Sequence, residues 1–390
     1  MIFQPPVLNQ QELQVIAQID EIRATLRYAL QASMHWTGFL RRNTVARAIQ
    51  GSNSIEGYAV DADDAVAAVE GEEPVKASGD TWKAVTGYQH ALSYVMQLAD
   101  DPHFTLNEEL IRSLHYMLQS YDTLKNPGRW RPGPIFVRRD PSGELMYEGP
   151  PAERVPELMR ELVAVAREPG DEPHSLIRAA MAHLNLVMIH PFSDGNGRMG
   201  RVVQTLVLAR GGISSPTFSS IEEYLGARGN TEDYYQVLAD TGGGTWQPER
   251  DARAWVRFCL VAHFRQATSL SRRMRETARL WDALEAELTR RALDQRMIFA
   301  LADAAIGLRV GSARYRSSAE ASMQVAGRDL GVLVKQGLLA AVGEKRGRTY
   351  VAGALLKEIW FRTREPRAPV LDPFASQQLM LNPLTETKEP

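Results

Sequence analysis

Residues 190–201, HPFSDGNGRMGR, restrict the fold of this chain more than any other stretch. An apolar run precedes them, in which Ile177, Ala180, Met181, Leu184, Val187 and Met188 recur at helical spacing. Pro191 disfavours helical geometry at His190, so the run should end there. Phe192 is the natural apolar peg holding the next loop to a core. Asp194, Gly195, Asn196 and Gly197 break the helical pattern and suit a turn of inward-pointing backbone N–H groups. Arg198 then opens a second apolar helix over residues 199–209. The pattern predicts helix, glycine loop, helix, with a free helix N-terminus aimed at the loop, where anions bind. Asp194 can hold a divalent cation. Arg198 and Arg201 lie three apart and share a helix face, and His190 stands at the rim. Such a set suits a nucleotide polyphosphate with Mg²⁺ and a base beside it.

Position by position, this stretch resembles the signature of the Fic family, His-Pro-Phe-x-Asp/Glu-Gly-Asn-Gly-Arg-x-x-Arg. The chain has neither a GxxxxGK[ST] phosphate loop nor an HExxH zinc helix. The resemblance implies a mainly α fold, with a Fic-type helical core and a small β-hairpin flap. It also implies transfer of AMP from ATP to a Tyr, Ser or Thr hydroxyl of a target protein, and of the chain itself. In that scheme the phosphates lie over Gly195, Asn196 and Gly197. Asp194 ligates Mg²⁺ or Mn²⁺, Arg198 holds the β-phosphate and Arg201 the γ-phosphate. His190, with an unperturbed pKa of about 6.5, takes the hydroxyl proton. Other classes stay open at this point. One is removal of AMP, or transfer of phosphoryl or phosphocholine on the same fold. Another is a transcription regulator whose nucleotide site only senses. The intact Gly-Asn-Gly-Arg-x-x-Arg favours AMP transfer over phosphoryl transfer.

At 390 residues the chain is too long for one ordinary core. A formal net charge of −2 gives no global pull toward nucleic acid or an anionic membrane. The single cysteine, Cys259, excludes an intrachain disulfide framework and fits a reducing cytoplasm. It sits in an apolar helical run and reads as a small core residue. No uninterrupted apolar run approaches the ~20 residues that span a bilayer, and the start of the chain does not read as a signal peptide. The pattern divides into N-terminal helices (1–75), a catalytic core (76–265), a connecting helix (266–292), a winged-helix domain (293–363) and a flexible tail (364–390).

Taken in order, residues 1–6 read as extended, and Val15, Ile19, Ile22, Leu26 and Leu30 stripe one helix. Ser52 and Glu56 are four apart, with Gly57 next. By itself this is a helix end with a glycine stop. It is also similar to the Fic inhibitory pattern Ser/Thr-x-x-x-Glu-Gly/Asn. That likeness implies that Glu56 pairs with Arg201 and keeps ATP in a non-productive pose. Residues 60–79 predict a short helix and a loop, residues 82–98 a further amphipathic helix. Thr105 and Glu108 make a capping box for the next. Residues 129–151, rich in Pro and Gly, predict a hairpin. It is either a surface loop or the family's flap, in which Ile135, Phe136, Val137 and Arg138 face nucleotide or target. Residues 155–165 predict a helix, and residues 214–229 irregular chain. Tyr235 is either a core tyrosine or the adenosine neighbour implied by the resemblance, while the glycines at 242–244 depart from the family pattern. Pro248 leads into a long helix over about 251–292. Residues 297–305 and 322–336 predict helices, and 337–342 with 349–351 a hairpin with a basic tip. This order resembles a winged helix-turn-helix, which docks either proteins or DNA. For DNA, Arg314, Arg316, Arg328, Lys335, Lys345, Arg346 and Arg348 are the phosphate contacts. A homodimer stays open as well.

Overall fold

The structure is a computed structural model that describes residues 1–31, 34–98, 101, 103–139, 141–167, 173–211, 218–344, 347–367 and 372–375. Its elements are built from local signals. Helix α1 (Gln10–Gln31) opens with a reciprocal cap. The Asn9 amide donates to Glu12 Oε2 at 2.7 Å, and the Glu12 amide donates to Asn9 Oδ1 at 3.1 Å. Helix α2 (Thr37–Ile55) ends on Glu56, with Gly57 at φ +81°. Helix α3 (Ala62–Glu70) is capped by Asp61, and its chain leaves through Gly71 in the left-handed region. Helices α4 (Gly79–Leu98) and α5 (Glu108–Gln119) follow.

A two-stranded antiparallel hairpin, β1 (Phe136–Arg139) and β2 (Glu144–Glu148), pairs Phe136 with Glu148 and Arg139 with Glu144. A bulge falls between Val137 and Arg138. Then come α6 (Val155–Arg167), α7 (Ser175–Ile189), α8 (Asn196–Arg210), α9 (Glu222–Leu225), α10 (Asn230–Gly242) and α11 (Arg253–Arg290). The C-terminal part holds α12 (Ile298–Ala305), α13 (Ser312–Ser318), α14 (Met323–Lys335), the hairpin β3 (Leu339–Val342) with β4 (Thr349–Ala352), and α15 (Ala354–Thr363).

Two apolar clusters hold these elements. The first gathers Ile49, Leu92, Leu114, Leu158, Leu184, Phe192, Val203 and Trp255, and the motif helices α7 and α8 lie within it. α7 is apolar on nearly every face, which suits a helix surrounded by others. The extended N-terminus is stitched to it: the Phe3 amide donates to Asn185 Oδ1 at 2.8 Å, and Asn185 Nδ2 returns a bond to the Phe3 carbonyl. The second cluster joins Leu284, Leu301, Leu330 and Leu356 to Leu26, Trp36 and Leu40. α11 is an unbroken 38-residue helix that contributes to both. Glu12, fully buried, anchors it to α1 by accepting from Arg253 and Arg257.

Several expectations need correction. The cap of α5 is Asn107, whose side chain accepts from the Leu110 amide; Thr105 lies two residues too early to do so. The motif helix begins at Asn196, so Asn196 and Gly197 sit inside its first turn. Helix α9 falls inside the segment read as irregular and, like α13, is too short to show a clear period, while α15 had no sequence expectation. Arg314 cannot meet phosphates: it is 3% exposed and donates to Glu72 Oε2 at 2.8 Å. Lys345 and Arg346 lie outside the described residues, as do residues 214–217 of the segment read as irregular.

Candidate active site

α7 stops because His190 adopts φ 51° and ψ 59°, while its amide still bonds to the Leu186 carbonyl. That left-handed turn swings the ring to the rim, where it is half-buried. Nδ1 lies 3.0 Å from the Val187 carbonyl. A carbonyl only accepts, so Nδ1 carries the proton and Nε2 keeps its lone pair. Burial pulls the imidazole below its ordinary range, which keeps it neutral.

Phe192 is fully buried and stacks on His115, with centroids 3.7 Å apart and planes 9° from parallel. Asn196 clamps the same residue from the other end of the loop. Its Oδ1 accepts from the Phe192 amide and its Nδ2 donates to the Phe192 carbonyl, both at 2.9 Å. The Gly128 amide donates to His115 Nδ1 at 2.8 Å, so His115 Nε2–H donates to the Asp194 carbonyl at 3.0 Å. Burial pulls His115 down to about 4, so it is a neutral strut. Gly195 caps α8 at φ +78°, a conformation that glycine adopts without strain. We expect Phe192→Ala to cost about 3–5 kcal/mol of stability. Urea unfolding measures it, and a loss below about 1 kcal/mol would mean the loop is not pegged this way.

Arg198 and Arg201 of α8 are buried beneath this turn, each 1% exposed. Arg198 Nη2 donates to Gln119 Oε1 at 2.9 Å, and its guanidinium lies 5.1 Å from the Tyr58 ring centre. Its Nε and Nη1 make no hydrogen bond. Arg201 is held by α2: Nε donates to Ser52 Oγ at 2.7 Å, and Nη2 donates to the Ser52 carbonyl at 3.0 Å and to Glu56 Oε1 at 2.8 Å. Its Nη1 is unbonded. Burial works to lower the Arg201 guanidinium, but Glu56 beside it prevails and raises it. A Cβ on Gly197 would meet Glu56 Oε1 at 2.3 Å. The carboxylate therefore sits directly on the first turn of α8, the place where that helix end favours an anion. Ser52, Glu56 and Gly57 have two consequences for the local structure. They terminate α2, and they bring a carboxylate onto Arg201.

The hairpin is tied to the motif. Arg131, just before it, donates from Nε to the His190 carbonyl at 2.8 Å, and its amide donates to the Pro191 carbonyl. Tyr147 on β2 donates to the Met188 carbonyl at 2.8 Å. The far edge of β2 meets the glycine segment, where the Glu148 amide donates to the Gly244 carbonyl. β1 pairs with β2 alone among the described residues, so its outer edge is open. Ile135 is half-buried against Gly149, Phe136 is exposed, and Val137 packs on the first apolar cluster. Arg138 curls back to donate to the Gly143 carbonyl at 2.9 Å.

Residues 105–208 match the Fic/DOC family model. The chain carries a Fic domain. Its sequence is similar to the protein adenylyltransferase Fic of Nematostella vectensis, 26% identical over 259 residues, covering 65% of this chain and 55% of that protein. The counterpart from Aedes aegypti is 56% identical over 85 residues, covering 22% of this chain and 14% of that one. The chain thus spans about half, or less, of the curated relatives it matches. Among solved structures, a Fic family protein from Desulfovibrio desulfuricans G20 superposes with a TM-score of 0.58 at 24% identity, covering 90% of this chain and 99% of that one. Fic-1 from C. elegans gives 0.51 at 21% identity, covering 66% and 71%. Both share the fold.

Beyond the matched residues, Tyr235 is not a core residue. It is 47% exposed, and its hydroxyl donates to the Ile55 carbonyl at 3.1 Å, closing the end of α2. Tyr234 is the core tyrosine, 1% exposed and bonded to His183. Sequence reasoning missed His115, Gln119, Arg131 and Tyr147, none of which belongs to a motif. Asp194 Oδ1 accepts from the Gly195 amide at 2.7 Å, and Oδ2 lies 3.5 Å from Lys125 Nζ. Among the described residues no three His, Cys, Asp or Glu side chains converge as a metal cluster. A cation at Asp194 would share one carboxylate with substrate oxygens, the usual arrangement for Mg²⁺ beside phosphates.

Proposed function

We propose that the chain is a protein adenylyltransferase, moving AMP from ATP to a Tyr, Ser or Thr hydroxyl of a target protein and of itself. The observation that carries this reading is the set of unbonded buried guanidinium nitrogens on Arg198 and Arg201, beneath a helix N-terminus and beside a neutral histidine. Buried polar atoms without partners cost free energy unless a ligand satisfies them. The β- and γ-phosphates would do so, over Gly195, Asn196 and Gly197. The hydroxyl oxygen attacks the α-phosphorus, the bond to the bridging oxygen breaks, and pyrophosphate leaves. The hydroxyl proton passes to Nε2 of His190, the nitrogen left free by the Val187 contact. Mg²⁺ or Mn²⁺ at Asp194 would neutralise phosphate charge. The open edge of β1 offers main-chain pairing to a target segment beside His190, a known recognition mode. Phe136, Val137 and Arg138 line it, and Tyr235 stands near the nucleotide.

In this reading residues 1–75 regulate, 76–265 catalyse, 266–292 connect, and 293–363 form a winged-helix unit. Glu56 on Arg201 is the resting, inhibited state. No helix among the described residues is long and apolar enough to cross a membrane. We place the chain in the cytoplasm on its cysteine usage. The test is incorporation of label from α-labelled ATP into the chain and added protein. With Mg²⁺ or Mn²⁺ label should accumulate; with excess EDTA, or in Asp194→Ala at saturating metal, it should not. Full incorporation in EDTA would remove the cation from the scheme, and label only from γ-labelled ATP would mean phosphoryl transfer.

A further inference from the structure

α2, α11 and the segment after α15 enclose a cavity of about 130 Å³ that no residue of the glycine loop lines. Its walls carry five arginines: Arg47, Arg272, Arg273, Arg364 and Arg367. Two carboxylates face them, and both are already engaged. Glu223 accepts from Arg273 through both of its oxygens, and Oε1 lies 3.6 Å from Arg47 Nη1. Glu276 lies 3.2 Å from Arg364 Nε and 3.9 Å from Arg272 Nε, and it also accepts from the Glu365 amide. Glu365 is drawn instead to Arg275 and Arg279. Arg367 is exposed at the mouth of the cavity. Positive charge therefore exceeds negative charge here, in a chain whose overall formal charge is −2. Burial, and after it the neighbouring Arg273, pulls the Arg47 guanidinium below its ordinary range, against the opposing pull of Glu223.

Arginine suits oxyanions because its planar fork binds two oxygens at once, and it stays charged when partly buried. A space of about 130 Å³ is well above what a single water needs and has room for a small oxyanion. We propose that this cavity binds a phosphate-bearing small molecule, held by Arg47, Arg272, Arg273, Arg364 and Arg367. Such a ligand would join α2 to the C-terminal part. Arg47 lies five residues before Ser52 on α2, about 7.5 Å along the axis. Glu223 follows Glu222, whose carbonyl would meet a Cβ on Gly51 at 2.3 Å. The ligand therefore sits on the helix that carries Glu56, and on the short α9 packed against it.

Titration calorimetry of the full chain with inorganic phosphate, and separately with glycerol 3-phosphate, tests the site. Saturable binding that depends on Arg47 and Arg367 is expected. It should weaken at least tenfold in Arg47→Gln/Arg367→Gln, both solvent-accessible positions, and in Arg272→Gln. Arg198→Ala should leave the Arg47- and Arg367-dependent binding in place, removing only a separate contribution from the glycine loop. Binding of both ligands supports recognition of the phosphate alone, and tighter binding of the ester supports a contribution from its body. No saturable binding at about 10 mM would overturn the proposal. So would loss in Arg198→Ala with retention in Arg47→Gln/Arg367→Gln, because the anion would then occupy the glycine loop. Melting temperatures measured without phosphate separate loss of fold from loss of binding.

Discussion

Glu56→Gly is expected to incorporate labelled AMP roughly 100-fold faster than the parent chain, since a misplacement of about 1 Å costs that much in rate. The carboxylate of Glu56 lies 2.8 Å from Arg201 Nη2 and rests on Gly197, where the triphosphate would otherwise seat. Removing it frees one guanidinium edge and one helix N-terminus together. The fold should survive. Glu56 sits at φ −93°, so the position makes no special backbone demand, and Arg201 keeps its bonds to Ser52 Oγ and the Ser52 carbonyl. Glu222 remains as a second buried carboxylate acting on Arg201, held near neutrality at about 7 by burial. Arg201→Ala should not mimic the activation, because it deletes the phosphate ligand along with the latch, and the double variant should behave like Arg201→Ala. Initial rates for the four proteins at equal ATP decide the matter. A Glu56→Gly rate equal to the parent's would make the contact a mere helix end.

His190→Asn should lose about 100- to 10,000-fold in transfer, the usual share of a positioned general base. ATP affinity should change little, because the imidazole makes no phosphate contact in this scheme. Asparagine is the cleaner replacement. It tolerates the left-handed φ of 51° better than alanine, so the turn and the Arg131 bond to the carbonyl should persist. The pH profile gives a second reading. A base works while neutral, and burial places the His190 pKa below its usual 6.5. The acid limb should therefore fall below pH 6.5, with activity retained through neutrality, and His190→Asn should flatten that limb. Near-parental transfer by His190→Asn would remove the residue from proton transfer.

Much of the site was legible because its signals are local. The end of α7 follows from Pro191 acting on His190, the peg from Phe192, and the turn after it from Asp194, Gly195, Asn196 and Gly197. Each depends on residues within four positions. The hairpin was legible from its Pro and Gly content in the same way. The error at Thr105 shows the limit of such reading. Asn107 and Thr105 are both good cap residues, and only the backbone turn decides which one reaches an amide. The start of α8 was likewise set two residues late, since Gly195 as cap places Asn196 and Gly197 inside the helix.

The sequence by itself determined the helix–loop–helix, its glycine turn and the longer helices around it, while the pairing of Glu56 with Arg201 was implied by the likeness to the Fic pattern. Only the tertiary structure decided which side chains meet. Glu56 reaches Arg201 across 145 residues, His115 reaches the Asp194 carbonyl across 79, and Arg131 reaches His190 across 59. Such contacts leave no period in the chain, because they depend on how helices pack rather than on spacing along one helix. Five arginines drawn from α2, α11 and the chain beyond α15 come to one cavity for the same reason: burial of apolar faces sets where helices lie, and the charges they carry follow.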